Sequence, residues 1–163
     1  MSVASNVVAL GSRVWHAVRA GSFAMGALLV LVAVGGALHQ AVLIPPLAAS
    51  AALVHGAPGL PISQPRNLVG GQLLSAAVGF GVLAVVGAGP WAAAVAGGVA
   101  LGAMLVARVP HSPAAATAVI VVLQSPCPVV FLPLLALATA VLVLFGLLPH
   151  RVGGHPVRYP VAW

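Results

Sequence analysis

The chain of 163 residues carries six arginines and no lysine, and it contains no aspartate or glutamate. Soluble domains carry roughly 25% charged residues. Here the charged fraction is 4%, with 62% hydrophobic residues and a mean hydropathy of +1.20. Too few polar side chains exist to cover a solvated surface, which excludes soluble globular, disordered, collagenous and coiled-coil readings. The chain reads as an integral membrane protein. Without carboxylates there can be no paired-acid hydrolysis, no oxygen-ligated Mg or Ca site, no acid-assisted triad and no relay through intramembrane acids. The single cysteine, Cys127, excludes an internal disulfide and reads as a small apolar residue between Pro126 and Pro128. A formal charge of +6 favours anions, either acidic lipid headgroups or an anionic solute, and no nucleic-acid partner is expected.

The first long apolar run covers residues 23–44. As a helix it would measure about 33 Å, against a hydrocarbon core of roughly 30 Å. It is too long for a secretory h-region, so it reads as a retained span. Before it, Val3, Val7, Leu10, Val14 and Val18 mark one helical face, with Arg13, His16 and Arg19 off it. Residues 1–20 are therefore expected to form an interfacial amphipathic helix. Further spans are expected at 67–88, 91–109 and 129–148, followed by a tail at 151–163. Trp15, Trp91, Tyr159 and Trp163 fall near the expected interfaces, where amphipathic aromatics concentrate. Four spans put both termini on one side, with Arg13, Arg19, Arg151 and Arg158 against Arg66 and Arg108 opposite. The excess of arginine places both ends in the cytoplasm.

Two Ala-rich segments, 46–54 and 113–121, are too short to cross as helices and are expected to be re-entrant half-helices. At an offset of 67 they share five of nine residues, and Ser50 aligns with Thr117. Each follows one long span and precedes another, as in the internal duplications of channels and transporters. Re-entrant segments would make the two halves parallel repeats, whereas crossing segments would make them inverted. The fold class is thus all-α: four transmembrane helices plus two half-helices in a two-fold internal repeat, spanning residues 21–150.

Arg66 and Arg108 lie beside span ends with no acidic side chain to pair with. They could reach lipid phosphates, or face inward and hold an oxyanion, which suits the planar guanidinium fork. Pro113 with Ser112 as N-cap, and Pro46 in the other copy, mark helix starts whose free N–H groups and dipole attract negative charge. His111 stands between Arg108 and Ser112, where it could donate to an anion or titrate. The expected anion site is Arg66, Asn67, Arg108, His111 and Ser112, with His39, Gln72, Ser50 and Thr117 as secondary lining. Six histidines at scattered spacings make no metal site, and neither a metal nor a cofactor is expected. Gly71, Ser75 and Gly79, and Gly98 with Gly102, have the spacing of close helix packing, so a homo-oligomer is expected.

Three stretches and the chain's ending carry a resemblance. Ile44-Pro-Pro-Leu-Ala-Ala-Ser-Ala, Gln64-Pro65-Arg66-Asn67-Leu-Val-Gly70-Gly71 and Arg108-Val-Pro-His111-Ser112-Pro113 resemble the HPP family of small membrane proteins, as does the ending Arg158-Tyr159-Pro160-Val-Ala-Trp163. The similarity covers roughly residues 20–163. It implies four transmembrane helices and, from plant and cyanobacterial members, nitrite transport. Two positions depart from the family pattern: His-Pro-Pro reads His111-Ser112-Pro113, and the usual Gly-Gly-His reads Gly70-Gly71-Gln72. The expected function is passage of a small monovalent anion, nitrite first, rather than enzymatic catalysis. A non-transporting structural subunit is the competing class. An enzyme using Ser112 or Cys127 as nucleophile would lack an acidic orienting partner.

Overall fold

A computed structural model describes residues 3–151 and 158–161. Within them the chain forms α1 (Val3–Leu38), α2 (Pro45–Gly56), a 3-10 turn (Pro61–Ser63), α3 (Pro65–Val86), α4 (Pro90–Val106), α5 (Ser112–Gln124) and α6 (Pro128–Arg151). Proline punctuates the sequence. It occupies the first turn of every helix after α1, where its missing N–H costs nothing and its fixed φ suits a helix.

Three helices contain stretches long and apolar enough to cross a membrane: Ala9–Leu38, Pro65–Val86 and Pro128–Pro149. The fourth expected span is α4, whose 17 residues make about 25 Å of helix, at the short limit for crossing. The outward residues are apolar, and Trp91 and Val106 are each 86% exposed. Such a surface is stable in lipid. The expected half-helices are α2 and α5, each longer by a few residues than the sequence suggests.

Several expectations need correction. The segment 3–19 is not a separate element, because α1 runs unbroken through it and into the first span. That helix also ends at Leu38, six residues before the expected boundary. His39 takes a positive φ of 51° and the amides of His39 and Gln40 fold back onto Gly36 and Gly35, a Schellman ending. Tyr159, expected near an interface, is buried against Gly146 and Val54. Residues 152–157 and 162–163, including His155 and Trp163, lie outside the described residues, as do the side chains of Val3, Val7, His150 and Arg151.

Contacts between elements give the helices their directions. Phe23 of α1 stacks on His55 at the end of α2, and the Arg19 guanidinium donates to the Pro149 carbonyl near the end of α6. At the other end of the molecule Gln40, Leu47, Gln124 and Cys127 line one cavity. So α2 leads the chain from the end holding Gln40 to the end holding Arg19, and α5 leads it back. The two short helices run antiparallel, as do α3 and α6. Helices α1, α2 and α6 pack together, α3, α4 and α5 pack together, and the groups join through α2 with α5 and α3 with α6.

This path moves Arg66 and Arg108. Among the described residues they lie at the same end as Arg19, because α2 and α5 each lead the chain from one end of the bundle toward the other. Arg13 and Arg19 on the first half of α1, Arg66 at the start of α3, Arg108 just past α4, Arg151 ending α6 and Arg158 beside Tyr159 all belong to one end. The other end has His39, Gln40 and Gln124 but no arginine.

Candidate functional site: an arginine groove above a buried polar chain

The expected site residues separate into two neighbouring groups. Arg66, Asn67 and Arg108 line an open groove of about 260 Å³ with Gly59, Pro61, Gln64 and Val161. Both arginines are exposed. Arg66 is set by the first turn of α3, and Arg108 by the ending of α4. There the amides of Arg108 and Val109 bond back to the carbonyls of Leu105 and Met104, and Arg108 takes a φ of 57°. That position normally takes glycine, because a Cβ is strained in the left-handed region. The chain tolerates that strain and places a cation there.

The second group is buried. His111, Ser50, Gln72 and Thr117 are each at most 1% exposed. Thr117 donates to the Gln72 carboxamide oxygen. The Gln72 amide donates to Ser50 Oγ at 3.0 Å, and Ser50 Oγ lies 2.7 Å from His111 Nε2. His111 Nδ1 lies 2.7 Å from the Ile62 carbonyl. A carbonyl only accepts, so Nδ1 carries a proton. In the neutral ring Nε2 then accepts from Ser50.

Ser50 has a second acceptor in reach, the Pro46 carbonyl at 2.8 Å. Its hydroxyl has one proton for two acceptors. If His111 gains a proton, Nε2–H donates to Ser50 Oγ and the hydroxyl turns to Pro46. The chain of bonds can therefore hold an added proton without orphaning any of its members.

One wall separates the groups. The 3-10 turn presents Pro61 to the groove, where the Asn67 amide donates to the Pro61 carbonyl at 2.7 Å. Its next residue, Ile62, holds His111. The turn is fastened by Ser63, which reaches the carbonyls of Leu53 and Ala57, and by Gln64, whose amide donates to the Pro58 and Leu60 carbonyls. The Gln64 side-chain oxygen accepts from the Val161 amide at 2.8 Å, which anchors the tail at the groove's rim. Sequence reasoning left Ile62 and Gln64 unassigned. Ile62 acts through its backbone and leaves no side-chain signal, while Gln64 was visible only as a neighbour of Pro65-Arg66-Asn67.

Other expected members lie elsewhere. His39 sits at the opposite end, closing α1. Ser112 is exposed and is the first helical residue of α5. The N-cap is His111, with no side-chain cap bond. The two short-helix starts do not converge on the arginines, since Ile44 and Leu47 at the start of α2 line the far cavity. Their N–H supply is also small. Pro45, Pro46 and Pro113 have none, and the amides of Leu47 and Ala114 already bond to Ile44 and His111. Charge at this site therefore comes chiefly from the guanidinium groups.

The small face of α3 explains how His111 reaches Gln72. A Cβ on Gly71 would lie 2.7 Å from the His111 Cβ, and one on Gly79 would lie 2.9 Å from the Ala118 carbonyl. These two glycines let α5 press against α3. Gly98 and Gly102 on α4 meet no neighbour within 4 Å.

No curated protein and no solved structure matches the chain. The transmembrane region of the HPP family matches over residues 8–160, nearly the whole sequence. The chain belongs to the HPP family of integral membrane proteins.

Proposed function

We propose that this protein passes a small monovalent anion across the membrane, with nitrite carried over from the family resemblance as the first candidate. One observation carries the reading: two exposed arginines and Asn67 line a single groove in a chain without acidic side chains, one turn of backbone away from a buried, fully bonded polar chain. The guanidinium groups attract the anion and offer planar donors to an oxyanion. His111, Ser50, Gln72 and Thr117 form the neutral polar interior next to the groove, which the anion would cross by exchanging hydrogen bonds with them. The proton capacity of His111 and Ser50 favours entry of a proton together with the anion over sodium coupling, for which no carboxylate exists.

The two halves form an inverted internal repeat in this reading. Exchanging α1, α2 and α3 for α4, α5 and α6 maps the packing pairs onto themselves, and exchanged helices are antiparallel. Ser50 and Thr117, aligned by the repeat, bond to opposite ends of the same Gln72 carboxamide. Each short helix with its preceding coil makes a discontinuous crossing rather than a re-entrant loop. The arginine-bearing end faces the cytoplasm, which the one-sided placement of arginine supports. The outward Gly98 and Gly102 of α4 supply a face for self-association.

Uptake into proteoliposomes tests the function, with nitrite, nitrate, formate and chloride compared in parallel. Nitrite flux that falls strongly in Arg66→Ala and Arg108→Ala, both folded, supports the reading. No flux of any of these anions by verified, folded protein would sink it and leave a structural subunit.

A further inference from the structure

At the arginine-free end, a cavity of about 310 Å³ is lined by Ala41, Ile44, Leu47, Gln124, Pro126, Cys127, Phe131 and Leu134, among others. Nothing in the arginine groove points to it directly. The internal offset of 67 does. Gly59, Gln64 and Asn67 of the groove stand 67 positions before Pro126, Phe131 and Leu134, and Arg108 stands 67 after Ala41. Four lining residues of one opening thus have their counterparts in the lining of the other. The interior ends correspond as well: His111, the N-cap of α5, stands 67 after Ile44, the N-cap of α2.

We infer that this cavity is the second mouth of the same path, related to the arginine groove by the inverted repeat and open to a hydrated small anion. The inference rests on the transport reading. The two mouths differ in chemistry at corresponding positions. Arg108 is replaced by Ala41, Gln64 by Phe131 and Asn67 by Leu134, so at these positions the second mouth carries neither charge nor carboxamide, and its carboxamides are Gln40 and Gln124 instead. Ile44 and Leu47 line it, and the counterpart of Ile44 is His111, which lies behind the wall of the first mouth. Leu47 lies one helical turn from Ser50, so a single apolar layer separates this cavity from the buried polar chain. Such a layer closes a path by excluding water rather than by charge. Attraction therefore acts at one mouth only, and anion capture from the arginine side should depend more steeply on ionic strength.

The test uses full-length protein in proteoliposomes of known orientation, with nitrite at low ionic strength supplied on the side of the cavity. Ala41 is exposed, so charge can be introduced there without disturbing the core. Ala41→Arg recreates the missing counterpart of Arg108 and should raise uptake from that side by about tenfold, whereas Ala41→Glu should lower it by a similar factor. Both effects should fade in high salt. A bulky neutral thiol reagent on Cys127 should independently remove most of the wild-type flux, and whatever flux Cys127→Ser retains should resist the reagent. If the wild type transports and both Ala41 variants match it, the cavity is not on the path and the inference fails. If stoichiometric modification of Cys127 leaves flux intact, it fails also. If the wild type moves no anion at all, it is the transport reading that falls.

Discussion

Arg108 occupies a backbone position where glycine would be cheaper, and this gives the site a measurable signature. The left-handed conformation costs a side chain roughly 1–2 kcal/mol, and the freedom glycine adds to the unfolded chain returns about 0.4–1 kcal/mol of that. Arg108→Gly should therefore raise stability by about 0.5–1 kcal/mol while lowering anion flux. Thermal unfolding in detergent, set beside uptake, checks both signs; a stable variant with full flux would remove Arg108 from the site. Gln72 offers the complementary case. It gives a donor to Ser50 and an acceptor to Thr117, and a histidine, the usual family residue here, also has two nitrogens that can serve as donor and acceptor. Gln72→His should fold and transport. Gln72→Leu should lose about 1–3 kcal/mol, because the Thr117 hydroxyl and its neighbours are left buried without that partner.

At the scale of elements, small residues repeated every four positions have opposite consequences on two helices. On α3 a Cβ at Gly79 would lie 2.9 Å from the Ala118 carbonyl and 3.0 Å from its Cα, both backbone atoms that cannot swing away. Gly79→Ala should destabilise by about 1–3 kcal/mol through overpacking. On α4 a Cβ at Gly98 meets nothing, so Gly98→Ala should stabilise the isolated chain by up to about 1 kcal/mol through helix propensity. If α4 joins two copies, that same substitution should weaken the dimer, which sedimentation in detergent would detect. Spacing alone cannot separate these cases, since Gly71-Ser75-Gly79 and Gly98-Gly102 both repeat small residues every four positions. Only the position of α5, pressed onto α3, distinguishes them.

Across the described residues, arginine is confined to one end. In the proposed reading the positive-inside rule then points that end toward the cytoplasm, a direction that the sequence left at four against two. In that orientation Cys127 faces away from the cytoplasm, opposite the start of α1 and the end of α6. An impermeant thiol reagent added to intact cells should label Cys127, while a C-terminal epitope stays hidden until the cells are permeabilised. The reverse pattern would invert the orientation. The tail follows the same geometry: Tyr159 is buried with its hydroxyl unpartnered, burial pushes its pKa upward, and Val161 caps Gln64 at the rim of the groove.

Composition settled the solvent of this protein, because a chain without acids or lysines cannot cover a water-facing surface. Prolines marked where the helices begin, for each removes a donor that only a first turn can spare. The motifs around Arg66, Arg108 and His111 were legible for the same reason: charge and titratable groups are rare enough here that each stands out. What the sequence could not express was direction. Which way a 12-residue helix leads the chain depends on which neighbours it packs against, and that decides at which end of the bundle Arg66 and Arg108 lie. It also divided the expected site, leaving the arginines in an open groove and burying His111 with Ser50, Gln72 and Thr117. Hydrogen bonds between residues 22 to 61 positions apart have no local pattern, and only the packed tertiary structure brings their partners together.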